Sequence, residues 1–340
     1  MNDGANLRIG LLGAGRIGSM HAELLQFQVP NAVVAGVYDI MQPAAEAVAT
    51  KVGPTVFATA EELITSPEVD AVAIATSTDT HVKLIVAAAD ANKPIFCEKP
   101  VSLAIEEVDR ALAAVDAAQV PLQIGFNRRF DAGHAAVQQA VASGTIGEVR
   151  QVTITSRDPS PPPISYVEVS GGIFNDMTIH DFDMARFVTG ADVEEVFAYG
   201  AVMVDPAIGD AGDFDTITVL MRHSNGVQTT ITNCRQAAYG YDQRVEAFGS
   251  LGVSTSENQA DHYTVTRTEQ GGATAVVPHF FLDRYIPSYV TQWQQFVEAV
   301  TNGTPTPVNG HDGRAPLVIG KAALRSAKEQ RPVKISEIDA

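Results

Sequence analysis

The sequence predicts an α/β chain: a Rossmann-type, doubly wound parallel sheet, then an α+β part built on an open, mostly antiparallel sheet. Three observations predict it. Strand and helix patterns alternate from Leu7 to about Gly125. A Gly-x-Gly-x-x-Gly run, Gly13-Ala14-Gly15-Arg16-Ile17-Gly18, lies where the first strand passes into the first helix. Further on, alternating strands succeed one another through short turns with no helix between them. The division falls between 1–124 and 125–340.

Leu7-Arg8-Ile9-Gly10-Leu11-Leu12 reads as a buried strand that enters the glycine run, and a helix pattern follows through Leu25. The first glycine permits a tight turn, the second a close backbone approach to a pyrophosphate, the third close helix–strand packing. The helix N-terminus offers unbonded N–H groups to phosphate oxygens, which makes Gly13, Gly15, Arg16, Ile17 and Gly18 candidate cofactor-binding residues. A glycine run alone is also a plain turn; here the flanking strand and helix supply the context. The next strand, Ala32–Tyr38, ends at Asp39, whose carboxylate can accept both ribose hydroxyls of an adenosine. That carboxylate repels a 2′-phosphate, and Ile40-Met41-Gln42 bring no arginine to neutralise one, so NAD is favoured over NADP.

The alternation continues with a helix over Ala44–Val52, a strand near Thr55–Phe57, a short helix at Ala60–Thr65 and a continuously apolar strand at Ala71–Thr76. A helix from about His81 to Ala91 leads to the strand Pro94–Cys97, which ends at Glu98-Lys99-Pro100. A helix over Ile105–Ala118 and the strand Leu122–Gly125 close the unit. Ligands of such sheets bind outside the carboxyl ends of the strands. Thr76, Ser77, Glu98, Lys99, Asn127 and Arg128 all fall there. His81 either touches the cofactor or caps and packs its helix. Lys99 is restricted by Pro100, and the bond between them is one that can be cis. A Lys-Pro at a strand end is by itself also an ordinary surface feature.

In the second part, a helix covers about Ala132–Ser143 and Glu148–Ser156 alternates like a half-buried strand. Pro159-Ser160-Pro161-Pro162-Pro163 is a stiff loop. Strands follow near Val193–Val204, Asp215–Arg222, Val227–Asn233, Gln243–Phe248 and Tyr263–Thr268, with a hairpin turn at Ser224-Asn225-Gly226. Helices over Ser288–Val300 and Leu317–Lys328 come last.

Composition excludes several classes. A net charge of −17 and the lack of a concentrated basic patch argue against nucleic acid. No apolar run is long enough to span a bilayer. Cys97 and Cys234 are too few for a disulfide framework, and no Cys/His cluster has zinc spacing. The opening Met1–Asn6 leaves no room for a cleavable leader before the first strand. The expectation is a reduced, cytoplasmic protein without a metal.

The stretch Gly171–Arg186 carries the second set of candidates. On one helix advancing about 100° per residue, Asp176, His180 and Asp183 fall within roughly 60° of one another. This describes an acid–base pair turned into a cleft equally as well as a solvated face.

Four motifs in order and spacing decide more: Gly13–Gly18, Phe96-Cys97-Glu98-Lys99-Pro100, Gly125-Phe126-Asn127-Arg128-Arg129-Phe130-Asp131 and Asp176–Asp183. Together they resemble the glucose–fructose oxidoreductase/inositol dehydrogenase (Gfo/Idh/MocA) family from Leu7 to about Val333, and its inositol 2-dehydrogenases in particular. The resemblance implies NAD(P)-dependent oxidation of a secondary alcohol on a cyclitol or sugar, myo-inositol to its 2-keto product first of all, with NAD the cofactor that Asp39 favours. It also implies a homotetramer built by packing open sheets, and a shared Lys99/Asp176/His180 site. A histidine with an unperturbed pKa of about 6.5 can take the hydroxyl proton near neutrality, and Lys99 can stabilise charge on the reacting oxygen. Asp176 orients His180 or bonds the substrate hydroxyl, whereas Asp183 is read as a structural acceptor. Asn127, Arg128 and Tyr241 are candidate substrate contacts, with packing or a tetramer contact the alternative for each. Asn127 replaces a frequent methionine and Ser156-Arg157-Asp158-Pro159 replaces a frequent His-Arg-Asn-Pro, which leaves the polyol open. A scyllo-inositol or pyranose dehydrogenase is the rival on the same fold, and a non-catalytic NAD-binding regulator the rival of another class.

Overall fold

Six parallel strands form the first sheet: β1 (Leu7–Leu12), β2 (Ala32–Tyr38), β3 (Thr55–Val56), β4 (Ala71–Ile74), β5 (Ile95–Cys97) and β6 (Leu122–Ile124). Their order, β3-β2-β1-β4-β5-β6, is that of a dinucleotide-binding Rossmann sheet. The computed structural model describes residues 6–262 and 264–339; Met1–Ala5 and Tyr263, which entered the sequence reading, lie outside them. β4 is buried along its whole length, as its unbroken apolar run requires of a strand covered on both faces. The connecting helices are α1 (Arg16–Phe27), α2 (Gln42–Val52), α3 (Ala60–Thr65), α4 (Thr78–Asp90) and α5 (Ile105–Ala118). Thr59 caps α3 by accepting the Glu62 N–H at 3.1 Å, and α2 stops at Gly53, whose φ of +85° suits a residue without a side chain.

The chain divides into two compact units, one running to Asn127 and taking up Pro287–Ala315, the other comprising Arg128–Ile286 and the chain from Pro316 onward. The sequence reading placed a single boundary at 124/125. The difference lies in the helix Phe281–Asn302, whose Trp293, Phe296 and Val297 complete the apolar core around β1, β2 and Phe96. Amphipathic periodicity shows that this helix buries a face, but not which sheet receives it.

The second unit is built on β7 (Val149–Arg157), β8 (Val193–Ala201), β9 (Thr216–His223), β10 (Gln228–Cys234), β11 (Asp242–Gly249) and β12 (Val253–Ser256). With the short C-terminal strand Val333–Lys334 beside β8, the order is β12-β11-β7-β10-β9-β8 and then that strand. All pairs are antiparallel except β10 with β7. Val152, Ile154, Val196, Ala198, Val219, Met221 and Ala247 face a core that also takes in Phe182, Met184 and Ile319. The alternate residues Tyr199, Leu220 and Phe248 are exposed on the opposite face. A separate hairpin pairs Val265–Thr268 with Gly271–Thr274.

The single helix expected to carry Asp176, His180 and Asp183 is two helices, Gly172–Asp176 and Ile179–Thr189. The N–H and hydroxyl of Thr178 both reach back to the Ile173 carbonyl, at 2.9 and 3.1 Å, and the Asp181 N–H bonds the Thr178 carbonyl at 2.8 Å. The hydrogen-bond ladder thus lengthens and then tightens across Met177–Thr178, and the helix breaks there. Angular positions computed along one axis do not relate Asp176 to His180.

Candidate active site

In the first unit the glycine loop closes on the end of β4. Gly13 has φ +95°, and a Cβ on it would stand 2.6 Å from the Ala75 carbonyl oxygen. A Cβ on Gly18 would overlap the Gly13 carbonyl, so helix α1 packs against the loop only with glycine there. Gly15, at the N-cap of α1, would meet nothing within 4 Å. The backbone there is open to a ligand, with Arg16 and Ile17 opening the helix beside it. The Asp39 carboxylate accepts the Ala14 N–H on one oxygen and the Met41 N–H on the other, both at 2.7 Å. The side chain is therefore fixed at the tip of β2, where its oxygens can accept ribose hydroxyls. These residues fit a dinucleotide.

Thr76 receives the Thr80 hydroxyl at 2.6 Å, and Ser77 is the exposed N-cap of α4, which begins three residues earlier than expected. His81 is buried, its two ring nitrogens 2.9 Å from the Pro100 carbonyl and 3.1 Å from the Thr76 carbonyl. Burial lowers its pKa, the two carbonyls opposing. The ring that the sequence left between cofactor contact and packing thus joins two loops of the crevice. Glu98 and Lys99 are half-buried at the end of β5, and the Lys99–Pro100 bond is cis. Asn127 is buried and donates to the Ser288 hydroxyl at 3.3 Å.

The second unit gathers the remaining candidates around buried charge. Arg128 donates to Asp181 at 2.7 Å, to the Ser156 hydroxyl at 3.1 Å and to the Tyr241 hydroxyl at 3.3 Å. Asp181 also receives Ser156 and Asn233, each at 2.6 Å. Burial raises the Asp181 carboxyl while Arg128 opposes, and burial keeps the Tyr241 phenol neutral by raising its pKa. The structure thus brings Arg128 and Tyr241 together inside the unit.

Asp176 is held by two side chains that sequence reasoning missed: the Tyr166 hydroxyl at 2.8 Å and the Arg235 guanidinium at 3.3 Å. Arg235 is itself buried and also pairs with Asp213, whose carboxylate accepts the Ile173 N–H at 3.0 Å. His180 is half-buried at the second position of its helix. Asp183 accepts a bidentate pair of bonds from Arg129 at 2.6 and 2.9 Å, in keeping with a structural acceptor. Asp158, just past β7, is fixed by its N–H to the Cys234 carbonyl at 3.0 Å. Its carboxyl is pushed up to about 6, chiefly by burial, with Asp176 and Asp181 adding and Arg128 and Arg235 opposing. Arg235 and Asp158 both sit one residue beyond adjacent parallel strands, and no local sequence signal announces that pairing. Among the described residues no group of His, Cys, Asp and Glu is arranged to hold a metal ion, and no helix is long and apolar enough to cross a membrane.

Residues 7–126 match the oxidoreductase family with an NAD-binding Rossmann fold, and residues 134–255 match the GFO/IDH/MocA C-terminal domain. The chain belongs to the GFO/IDH/MocA family. It is 46% identical over 333 residues to a myo-inositol 2-dehydrogenase of Thermotoga maritima, covering 98% of this chain and 99% of that one. A crystal structure of a Thermotoga maritima dehydrogenase superposes with a TM-score of 0.96 at 46% identity, over 98% of this chain and 100% of the other. The scyllo-inositol dehydrogenase of Lactobacillus casei, solved with bound NAD(H) and scyllo-inositol, gives 0.91 at 25% identity, over 97% and 99%. This GFO/IDH/MocA chain is accordingly an NAD-dependent oxidoreductase, and its first unit has the crevice such a cofactor needs.

Proposed function

We propose that the protein oxidises a secondary hydroxyl of a cyclitol, with myo-inositol converted to its 2-keto form. The observation that carries this is the near-full-length likeness to a myo-inositol 2-dehydrogenase at 46% identity. Bound at the glycine loop, NAD supplies the hydride acceptor. His180 takes the hydroxyl proton as general base, and Lys99 donates a hydrogen bond to the reacting oxygen as charge develops on it. Asp176, anchored by Tyr166 and Arg235, orients the base or the substrate hydroxyl.

NADH formation across a panel of inositol isomers and aldoses tests the substrate. Fastest turnover of scyllo-inositol or an aldose moves the assignment to the rival on the same fold, and NAD binding without turnover of any polyol moves it to a regulator. Near-normal turnover in His180→Ala, with loss in Lys99→Ala, reassigns the base.

We also infer a homotetramer in the cytoplasm. Supporting it are the exposed Tyr199, Leu220 and Phe248 on one sheet face, a suitable surface for a second copy, and the free thiols of Cys97 and Cys234. Light scattering at micromolar concentration checks the assembly.

A further inference from the structure

His21 and Trp293 belong to the first unit and are both excluded from solvent. The indole nitrogen of Trp293 is only a donor, and it lies 2.9 Å from His21 Nδ1. Nδ1 must therefore present a lone pair, which leaves the ring neutral with its one proton on Nε2. That nitrogen is 2.8 Å from Glu98 Oε1 and donates to it. The other carboxylate oxygen, Oε2, accepts the backbone N–H of Lys99 at 3.3 Å. Gly125 makes room for this carboxylate, because a Cβ there would stand 2.9 Å from it. Direction and partner are thus defined at every step from Trp293 to Lys99. On the far side of Lys99, the Pro100 carbonyl is held by His81.

Packing alone does not call for a histidine here. His21 is boxed edge-on by Phe96, Tyr289 and Trp293, with ring centroids 5.4 to 5.5 Å away. A phenylalanine fills such a box without the cost of burying two polar nitrogens, so the nitrogens need a role to offset it.

We propose that Trp293, His21 and Glu98 form a buried hydrogen-bond relay whose function is to position Lys99. The proposal rests on the reading of Lys99 as the residue that bonds the reacting oxygen. His21 and Trp293 are positioning residues, and they act through Glu98 on the main chain from which the lysine projects. A displacement of about 1 Å at a reacting group can cost on the order of 100-fold in rate, so a loosened relay shows in kcat before it shows in binding.

His21→Phe keeps the ring box and removes both bonds; Trp293→Phe removes only the terminal donor. In His21→Phe the proposal expects at least a tenfold fall in kcat with KM for NAD within about threefold of the parent, a changed pH profile, and a rate of Lys99 acetylation altered at least threefold by peptide-resolved labelling. His21→Gln, which keeps a donor toward Glu98, restores part of kcat. Trp293 is the sole tryptophan, so its emission reports directly whether the indole bond has gone. A folded His21→Phe with shifted emission but parental kcat, pH profile and Lys99 labelling overturns the relay. Should His21→Phe fail to fold, the same readouts on Trp293→Phe decide: an altered kcat and labelling rate support the relay, and parental values overturn it. Should the parent oxidise no polyol, the reading of Lys99 fails by itself, and the labelling rate alone then judges the relay.

Discussion

The guanidinium of Arg128 and the carboxylate of Asp181 meet at 2.7 Å with both side chains almost wholly excluded from solvent. A pair in that position, satisfied further by Ser156, Asn233 and Tyr241, is stable only while both charges are present. Arg128→Met leaves a buried carboxylate unpaired and is expected to cost about 3–5 kcal/mol of folding free energy. The double variant Arg128→Met/Asp181→Leu should recover much of it. Urea unfolding of the two variants checks the claim, and equal losses in both would contradict it.

Asp39 is locked by two backbone N–H groups, so its replacement disturbs the loop as well as the ribose contact. Asp39→Ala should raise KM for NAD by about tenfold or more, in line with losing a charge-assisted hydrogen bond of roughly 1.5–3 kcal/mol. NADP, no longer repelled, should gain relative to NAD. Initial rates with each nucleotide measure the ratio, and an unchanged ratio would remove Asp39 from cofactor choice.

Two buried groups give opposite pH dependences of stability. Burial holds His134 down to about 3, with Asp131 opposing and Arg284 and Arg128 adding to the shift, against an ordinary 6.5. The unfolded chain then takes a proton that the fold refuses. The stability tied to neutral His134 is present above 6.5 and is lost as pH falls toward 3. Asp158 runs the other way. Its folded value near 6 exceeds the ordinary 3.8, so its contribution is present below about 4 and lost as pH rises through 6. Between pH 4 and 6 the two partly cancel, each proton amounting to a slope of at most about 1.4 kcal/mol per pH unit. His134→Gln should make the protein relatively more stable toward pH 4, and Asp158→Asn relatively more stable toward pH 7. Denaturant midpoints across that range read both slopes, and parallel curves for parent and variants would show that neither group titrates as described.

The Tyr166 hydroxyl, itself on an exposed residue, donates to Asp176. Tyr166→Phe removes one neutral donor and should lower kcat about twofold to tenfold, the equivalent of roughly 0.5–1.5 kcal/mol. Arg235→Met removes the buried cation and should lower both kcat and stability. Steady-state kinetics with thermal melts separates the two variants: Tyr166→Phe should leave the melt within about 2 °C of the parent, as a surface substitution does.

How far the sequence reaches follows from the range of the interactions involved. The doubly wound parallel sheet was legible because the glycine loop and the unbroken run Ala71–Ile74 are local signals. The glycines and Asp39 could be placed for the same reason. The break at Met177–Thr178 was not legible, since a threonine hydroxyl reaching back five residues leaves the apolar periodicity untouched. Arg235 escaped notice because it meets Asp176 only after the parallel pairing of β7 with β10, which no local pattern encodes. His21 carried a signal that went unread: it follows Gly18 at helical spacing, so it shares the face of α1 that packs inward. What it bonds there depends on Trp293, far along the chain.

The order of assembly on the ribosome follows from the way the chain is interleaved. The six parallel strands are all translated by Ile124, yet Trp293, Phe296 and Val297, which fill their core, follow the whole Arg128–Ile286 segment. That intervening unit in turn waits for Ile319 and Val333. Nascent domains usually close one after another as they emerge. Here the first sheet lacks Trp293, Phe296 and Val297 throughout synthesis of the Arg128–Ile286 segment, so a chain halted late in that segment carries two cores that each still lack C-terminal residues.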